Sequence, residues 1–207
     1  WCVITAEGKT ETVTRKDCFH EGAILLHVPQ NTAVTITCGA DAEIAVARTE
    51  NKRSFASRLM RPEDCLSANE ERGAGQMNEC STRLVRTFFD RSNCPETNFF
   101  IGEVVHFPGK WSSYPPHQHV EPELYYYKFL PENGYGLAEY GDDAFKVKNN
   151  DLTGMPENVT HSQCAAPGYA EYYLWCIRLQ DDKNIVTTVV PEYEWVTAAD
   201  AKYFPEI

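Results

Sequence analysis

The chain has 207 residues, 43% of them hydrophobic and 24% charged, which is the make-up of a folded globular protein and not of a disordered, collagenous or coiled-coil one. Its 19 Lys and Arg face 30 Asp and Glu, a formal net charge of -11, so a phosphate backbone is repelled and nucleic acid is not an expected partner. No stretch approaches the roughly 20 apolar residues of a membrane span.

Short apolar runs rich in Val, Ile, Tyr and Phe are broken every ten residues or so by Gly, Pro, Asn or Asp, a pattern that predicts an all-β sandwich or barrel. Strands are predicted over Ala23 to Val28, Ala33 to Thr37 and Glu43 to Ala47. Residues 51–94 turn polar and rich in Arg and Glu around Gly73-Ala74-Gly75, and read as a connecting segment with one strand at Ser81 to Phe89. Further strands follow over Phe99 to Phe107, Glu123 to Phe129, Tyr135 to Tyr140, Ala144 to Lys148 and Glu171 to Arg178. The division is a partial first unit over 1–50, a linker over 51–94 and a second unit over 95–207.

Eight cysteines, at 2, 18, 38, 65, 80, 94, 164 and 176, include no CxxC pair and read as separate buried or half-buried thiols. With no signal peptide in the chain, that usage points to a reduced cytoplasm. The triplet Asn158-Val159-Thr160 is read as a loop and not as a glycan acceptor.

An internal repeat sets the architecture. Pro29-Gln30-Asn31-Thr32-Ala33-Val34, followed by Cys38 and Glu43, echoes Pro156-Glu157-Asn158-Val159-Thr160-His161, followed by Cys164 and Glu171, at an offset of 127 residues. Two copies of one β unit are expected, the first without its leading strands. The chain therefore reads as part of a longer protein, or else as a processed chain or one whose first domain is unusual.

The chemistry is concentrated between Gly109 and Tyr127. In an extended segment residues two apart share a face, so His117 and His119 aim two imidazoles at one point, and Glu123 arrives from the next strand. His161, 38 residues later and after a Pro-x-Asn turn, fills a fourth position. Imidazole and carboxylate suit zinc, manganese or iron. The first repeat has Val34 where the second has His161, so one divalent ion per chain is expected, with the first unit a scaffold or a contributor to an oligomer or lid.

HxH, three residues, Glu and a distant PxNxxH resemble the metal motifs of the cupin superfamily. Asn150 and Asn158 stand where that pattern has glycine, and Asn is the next residue to tolerate positive φ. Ala165 stands where the second motif often has Asn. A narrower likeness covers most of the chain: Phe100 to His119 with Trp111-Ser112-Ser113-Tyr114-Pro115-Pro116-His117, Glu123 to Phe129, Asn133 to Gly136, Ala165 to Tyr169 and Tyr172 to Trp175 resemble the 5-deoxy-glucuronate isomerase of myo-inositol catabolism. That family is a bicupin related to the ketol-isomerase of pectin-derived uronates. The loop between His119 and Glu123 is shorter than in many relatives.

The resemblance implies two jelly-roll barrels, the first incomplete here, and a zinc- or manganese-dependent aldose–ketose isomerase that interconverts 5-deoxy-D-glucuronate and 2-deoxy-5-keto-D-gluconate. The proton carrier is open among Glu103, Tyr125, Tyr127 and a metal-bound hydroxide, with Glu103 and Tyr127 as the named catalytic candidates. Lys110, Lys128 and Arg178 are the nearest cations for the substrate carboxylate. Trp111, Tyr114 and Trp175, with Lys110 and Tyr125, are the candidate substrate contacts. A small sugar acid is the expected partner, with room for a homo-oligomer. The alternatives are the uronate ketol-isomerase itself, a cupin dioxygenase and a non-catalytic sugar-acid-binding cupin.

Overall fold

The computed structural model describes residues 1–180 and 183–205. The chain opens with a hairpin, β1 (Cys2–Ala6) and β2 (Lys9–Val13), turning on Glu7 and Gly8 at φ 48 and 75. Positive φ at both central residues is what a two-residue type I′ turn needs to match strand twist. β3 (Leu25–His27) pairs with β5 (Arg58–Met60), and β4 (Val34–Cys38) pairs with the free edge of β1 to give a sheet in the order β2-β1-β4. There follow β6 (Glu70–Arg72), β7 (Arg83–Phe89), β8 (Phe99–His106), β9 (Trp111–Gln118) and β10 (Glu123–Leu130). The chain continues through β11 (Tyr135–Tyr140), β12 (Asp143–Lys148), β13 (Leu152–Met155), β14 (His161–Ala165), β15 (Ala170–Arg178) and β16 (Thr188–Val189).

These later strands form two antiparallel sheets, β13-β10-β15-β8-β7-β6 and β12-β11-β14-β9-β16. The period of two on β10 and β15 decides what lies between them. Tyr125, Tyr127, Phe129, Tyr173, Trp175 and Ile177 turn inward with Val104 and Val147 to make the main core. The alternate residues Ile101, Leu174 and Cys176 turn outward and are covered by Ala23, Met60 and Phe88, a second apolar layer under the N-terminal segment. Gly102 has no side chain for a packing reason: a Cβ there would stand 2.3 Å from the Trp175 ring.

The repeat is visible in the backbone. The order β2-β1-β4 recurs as β12-β11-β14, each with a two-residue hairpin turn, and Asn31 and Asn158 take φ 62 and 59 in the turn before β4 and β14. Asn150 is likewise left-handed at φ 71, as its place in the motif requires. Asn158 lies in the loop ahead of β14, where the sequence places it. The strand expected over Ser81 to Phe89 forms as β7, hydrogen-bonded to β8 within the six-stranded sheet.

Three expectations fail. The segment over 51–94 carries β5 and β6 as well as β7 rather than a single strand, because β5 pairs with β3 and β6 with β7. Glu43 to Ala47 is not a strand: Ile44 and Val46 are 50% and 70% exposed with no neighbouring strand to pair with, and Glu43 is instead drawn to Lys128 Nζ at 2.8 Å. The cysteines are not all separate thiols, because Cys2 and Cys38 sit directly opposite each other on β1 and β4, Cα atoms 4.0 Å apart, and are joined by a disulfide. Among the described residues no helix is long and apolar enough to cross a membrane.

A buried ion cluster fastens the N-terminal segment to the outer face of the six-stranded sheet. Glu103, fully buried on β8, accepts hydrogen bonds from Arg86 Nη1 at 2.8 Å, Arg15 Nη2 at 2.6 Å and the Tyr172 hydroxyl at 2.9 Å. Arg86 also donates to the carbonyls of Cys18, Phe19 and Glu21. Removing one partner of such a cluster strands the others without compensation. Glu103→Ala is therefore expected to lower stability by about 3 kcal/mol or more, read as a shift of the urea midpoint, while metal content of the purified variant stays that of the parent.

Candidate metal centre

β9 delivers His117 near its end, and His119 follows immediately after it. Glu123 opens β10 with its side chain inward, and His161 opens β14, its Cα paired with that of His117. The register between β9 and β14 shifts just past this pair, which lets the two rings face each other with centroids 4.5 Å apart. His119 lies 5.2 Å from His161 by the same measure. One nitrogen each of His119 and His161 and one oxygen of Glu123 lie within 4.8 Å of one another, and all three side chains are buried. His117 borders this trio through its contact with His161.

The backbone sets the tautomers. Each imidazole has Nδ1 against a carbonyl two residues away: His117 on Pro115 at 3.2 Å, His119 on Glu121 at 2.8 Å and His161 on Val159 at 3.0 Å. An Nδ1–H so engaged leaves Nε2 as the donor atom facing inward, the arrangement typical of metal-ligating histidine. His161 Nε2 lies 3.4 Å from Glu123 Oε2 but makes no hydrogen bond there, an orphaned nitrogen on a residue 1% exposed. His119 Nε2 stands 3.1 Å from the same oxygen.

The charges follow from these contacts. Burial, and then the neighbouring His161, push the His117 imidazole down to about 4. Burial also works against His119, but the hydrogen bond and charge of Glu123 outweigh it and its net shift is upward. Burial would raise Glu123, yet its hydrogen bond to His119 and the close His161 ring carry it below the usual carboxylate value. The proton shared by His119 and Glu123 is the one that a divalent cation would displace from the same two atoms. Three imidazoles and one carboxylate, with an unsatisfied nitrogen among them, are compatible with a metal ion.

Other sequence-derived candidates fall in different places. Tyr125 belongs at the site: it is two residues inward from Glu123 on the same face, its ring is 6.1 Å from His161, and its hydroxyl is 3.1 Å from Ser113 Oγ. Tyr127 lies one step deeper, with its hydroxyl donated to Gln163 Oε1 at 2.7 Å, so it packs the core. Burial, above all, holds both phenols well above their usual value. Glu103 is not brought to the cluster. It projects from the opposite face of the sheet into the ion cluster with Arg15 and Arg86. Trp175 is in the core beside Tyr125, and its indole Nε1 is buried with no acceptor among the described residues. Lys110 and Trp111 sit at the other end of β9 from His117, Trp111 opposite Cys164, three residues along β14 from the His117–His161 pair. Trp111 and Tyr114 line a cavity of about 320 Å³ with Cys80 and Val196, and none of the four ligand candidates borders it. Lys128 is on the outer face, paired with Glu43, and Arg178 is exposed at the end of β15.

Two residues were not singled out from the sequence. Glu121, between His119 and Glu123, is 2% exposed, and its Oε2 is buried without a partner among the described residues. A Glu flanked by Val120 and Pro122 in a short loop carries every sign of a solvated residue, and only the structure turns it inward. Arg83, the first residue of β7, places its guanidinium within electrostatic reach of the Tyr173 and Tyr125 hydroxyls, and burial lowers its pKa.

A two-sheet antiparallel barrel with an HxH pair, a Glu and a later His converging on its interior defines a cupin. The family model described as KduI/IolB matches residues 2–196, and the chain belongs to that family. A 5-deoxy-glucuronate isomerase of Geobacillus thermodenitrificans is 27% identical over 94% of this chain and 77% of its own length. One of Geobacillus kaustophilus is 29% identical over 84% of this chain and 69% of its own. With relatives so named, the chain is an enzyme of the isomerase class. The crystal structure of an IolB-like protein from Salmonella typhimurium superposes with a TM-score of 0.86 at 24% identity, over 95% of this chain and 78% of the other, and confirms the fold.

In metal-free protein the His117 shift has a definite sign. An unfolded chain takes up the proton near the ordinary value of 6.5 while the folded one resists until about 4, so this residue makes folding less favourable as pH falls through that window. His119, raised in the folded state, acts oppositely and stabilises at low pH, losing its contribution as pH rises through its folded value. Comparing wild type with His117→Gln isolates the first effect. Urea midpoints measured from roughly pH 7 down to roughly pH 4, the window those two values set, are expected to fall more steeply for the wild type.

Proposed function

We propose that this chain interconverts 5-deoxy-D-glucuronate and 2-deoxy-5-keto-D-gluconate with a divalent cation, zinc or manganese, held by His117, His119, Glu123 and His161. The observation that supports it most directly is the convergence of backbone-fixed imidazoles on one carboxylate, with His161 Nε2 left unsatisfied. When bound, the cation would polarise the substrate's aldehyde and adjacent hydroxyl and so acidify the hydrogen on the carbon between them.

The protein's own groups supply the rest. Glu121, through its unpartnered Oε2, takes the proton from the carbon beside the aldehyde and returns it to the aldehyde carbon, as the hydroxyl proton passes from one oxygen to the other. Glu103 and Tyr127, which lie away from the centre, have no part in this transfer. The Tyr125 hydroxyl, steadied by Ser113, and the free indole N–H of Trp175 donate hydrogen bonds to the sugar hydroxyls. Arg83 offsets the substrate carboxylate in a chain of net charge -11. Glu121, Tyr125 and Trp175 are buried away from bulk water, which strengthens each of these contacts.

His161→Ala is expected to lose the barrel metal and activity together, measured by elemental analysis and by NMR of the substrate's exchangeable hydrogen. Glu121→Gln is expected to keep its metal and lose activity by about 10²- to 10⁴-fold, the usual range for a general base. Full metal occupancy in His161→Ala would refute the ligand set. Turnover of the pectin-derived uronate in preference to 5-deoxy-glucuronate would reassign the substrate, and ligand binding without turnover would make the protein a sugar-acid-binding cupin.

A further inference from the structure

Outside the barrel, His27 on β3 and Cys94 and Glu96 in the loop after β7 bring a nitrogen, a sulfur and a carboxylate oxygen within 4.8 Å of one another. We propose that these three side chains bind a second divalent cation of the zinc class, joining the N-terminal unit to the loop between β7 and β8. Zinc held tetrahedrally at about 2.3 Å from sulfur and about 2.0 Å from nitrogen or oxygen sets those donors about 3.3 to 3.6 Å apart. His27 Nδ1 is 3.4 Å from Cys94 Sγ, which is 3.5 Å from Glu96 Oε1. Both edges that meet at the sulfur have the length of a tetrahedral zinc site, and the third donor pair lies within 4.8 Å.

The surroundings fit the same reading. The His27 ring is fixed between Phe55, stacked at 4.5 Å, and Phe89 at 5.0 Å, so its nitrogen is presented with little rotational freedom. Cys94 is fully buried, and a turn in which its N–H bonds the Asp90 carbonyl and its own carbonyl takes the Thr97 N–H holds it in place. Glu96 is half-buried, so this donor stands at the protein surface, where a water could serve as fourth ligand. Thiolate and carboxylate together neutralise a doubly charged ion, and the nearby Arg58 guanidinium is turned to Asp64 at 3.5 Å. Burial and then the Glu96 charge push the Cys94 thiol up to about 12, so without a cation it remains an inert S–H; metal binding would release that proton. The soft sulfur makes this site chemically different from the nitrogen and oxygen donors in the barrel.

Cobalt(II) titration of the metal-stripped chain distinguishes the two sites, because only a thiolate ligand gives a near-ultraviolet sulfur-to-cobalt charge-transfer band. Wild type is expected to bind two equivalents with the band present. His161→Ala should bind one and keep the band, whereas Cys94→Ser should bind one without it. Glu96→Gln, a milder change at a half-exposed position, should weaken the band-forming event by about tenfold or more and serves if Cys94→Ser fails to fold. Saturation of the wild type without a charge-transfer band, or a band that survives in folded Cys94→Ser, overturns the proposal and leaves a thiol hydrogen-bonded to an imidazole. Loss of the barrel metal alone would count against the function proposed above and not against this site.

Discussion

Everything at the candidate centre depends on three hydrogen bonds between imidazole Nδ1 and backbone carbonyls at 115, 121 and 159. They bind the rings to main chain that is itself fixed by the sheets, so the inward nitrogens hold their direction whether or not anything binds them. Pre-organisation of this kind removes an entropy cost that freely rotating side chains would meet on binding. Glu123 completes it, because one carboxylate oxygen is reached by both His119 and His161.

The barrel is what makes that arrangement possible. The ligands come from β9, its trailing loop, β10 and β14, which lie in two different sheets, so their meeting point exists only when the sheets close on each other. Below it the interior is unusually polar for a core. Ser112, Tyr173, Ser113 and Tyr125 form a run of hydroxyl contacts, and at the far end His106 faces Glu171 at 3.1 Å with both residues fully buried. Low dielectric strengthens each paired contact and makes each unpaired group costly, so such an interior tolerates little rearrangement.

The four metal-ligand candidates were legible in the sequence because they follow simple rules: a period of two for His117 and His119, the first inward position of a strand for Glu123, and a Pro-x-Asn turn before His161. The left-handed Asn158 was legible for the same reason. Strand parity also placed Tyr125 inward, but parity cannot say which face of a sheet becomes the barrel interior, and Glu103 looked equally plausible until the N-terminal segment covered its side. Depth along a strand was equally hidden, which is why Tyr127 and Trp111 fell away from the centre. β1 and β2 were missed because their partners come from a short, polar hairpin with Glu-Gly at its turn, and the Cys2–Cys38 disulfide became evident only with the pairing of β1 and β4. Glu121 has no sequence signal at all.

The clasp of Arg15 and Arg86 on Glu103 has a bearing on how the protein can be divided. A fragment trimmed to the catalytic-looking half, starting after the connecting segment, would lose β7 from its sheet together with both guanidinium groups, and would expose an apolar layer with an uncompensated carboxylate at its middle. The two halves resemble each other in strand order, yet the later one is not self-sufficient: its outer wall is supplied by the N-terminal one. The described chain behaves in that sense as a single folding unit, in which the N-terminal segment clads the barrel that carries the histidines.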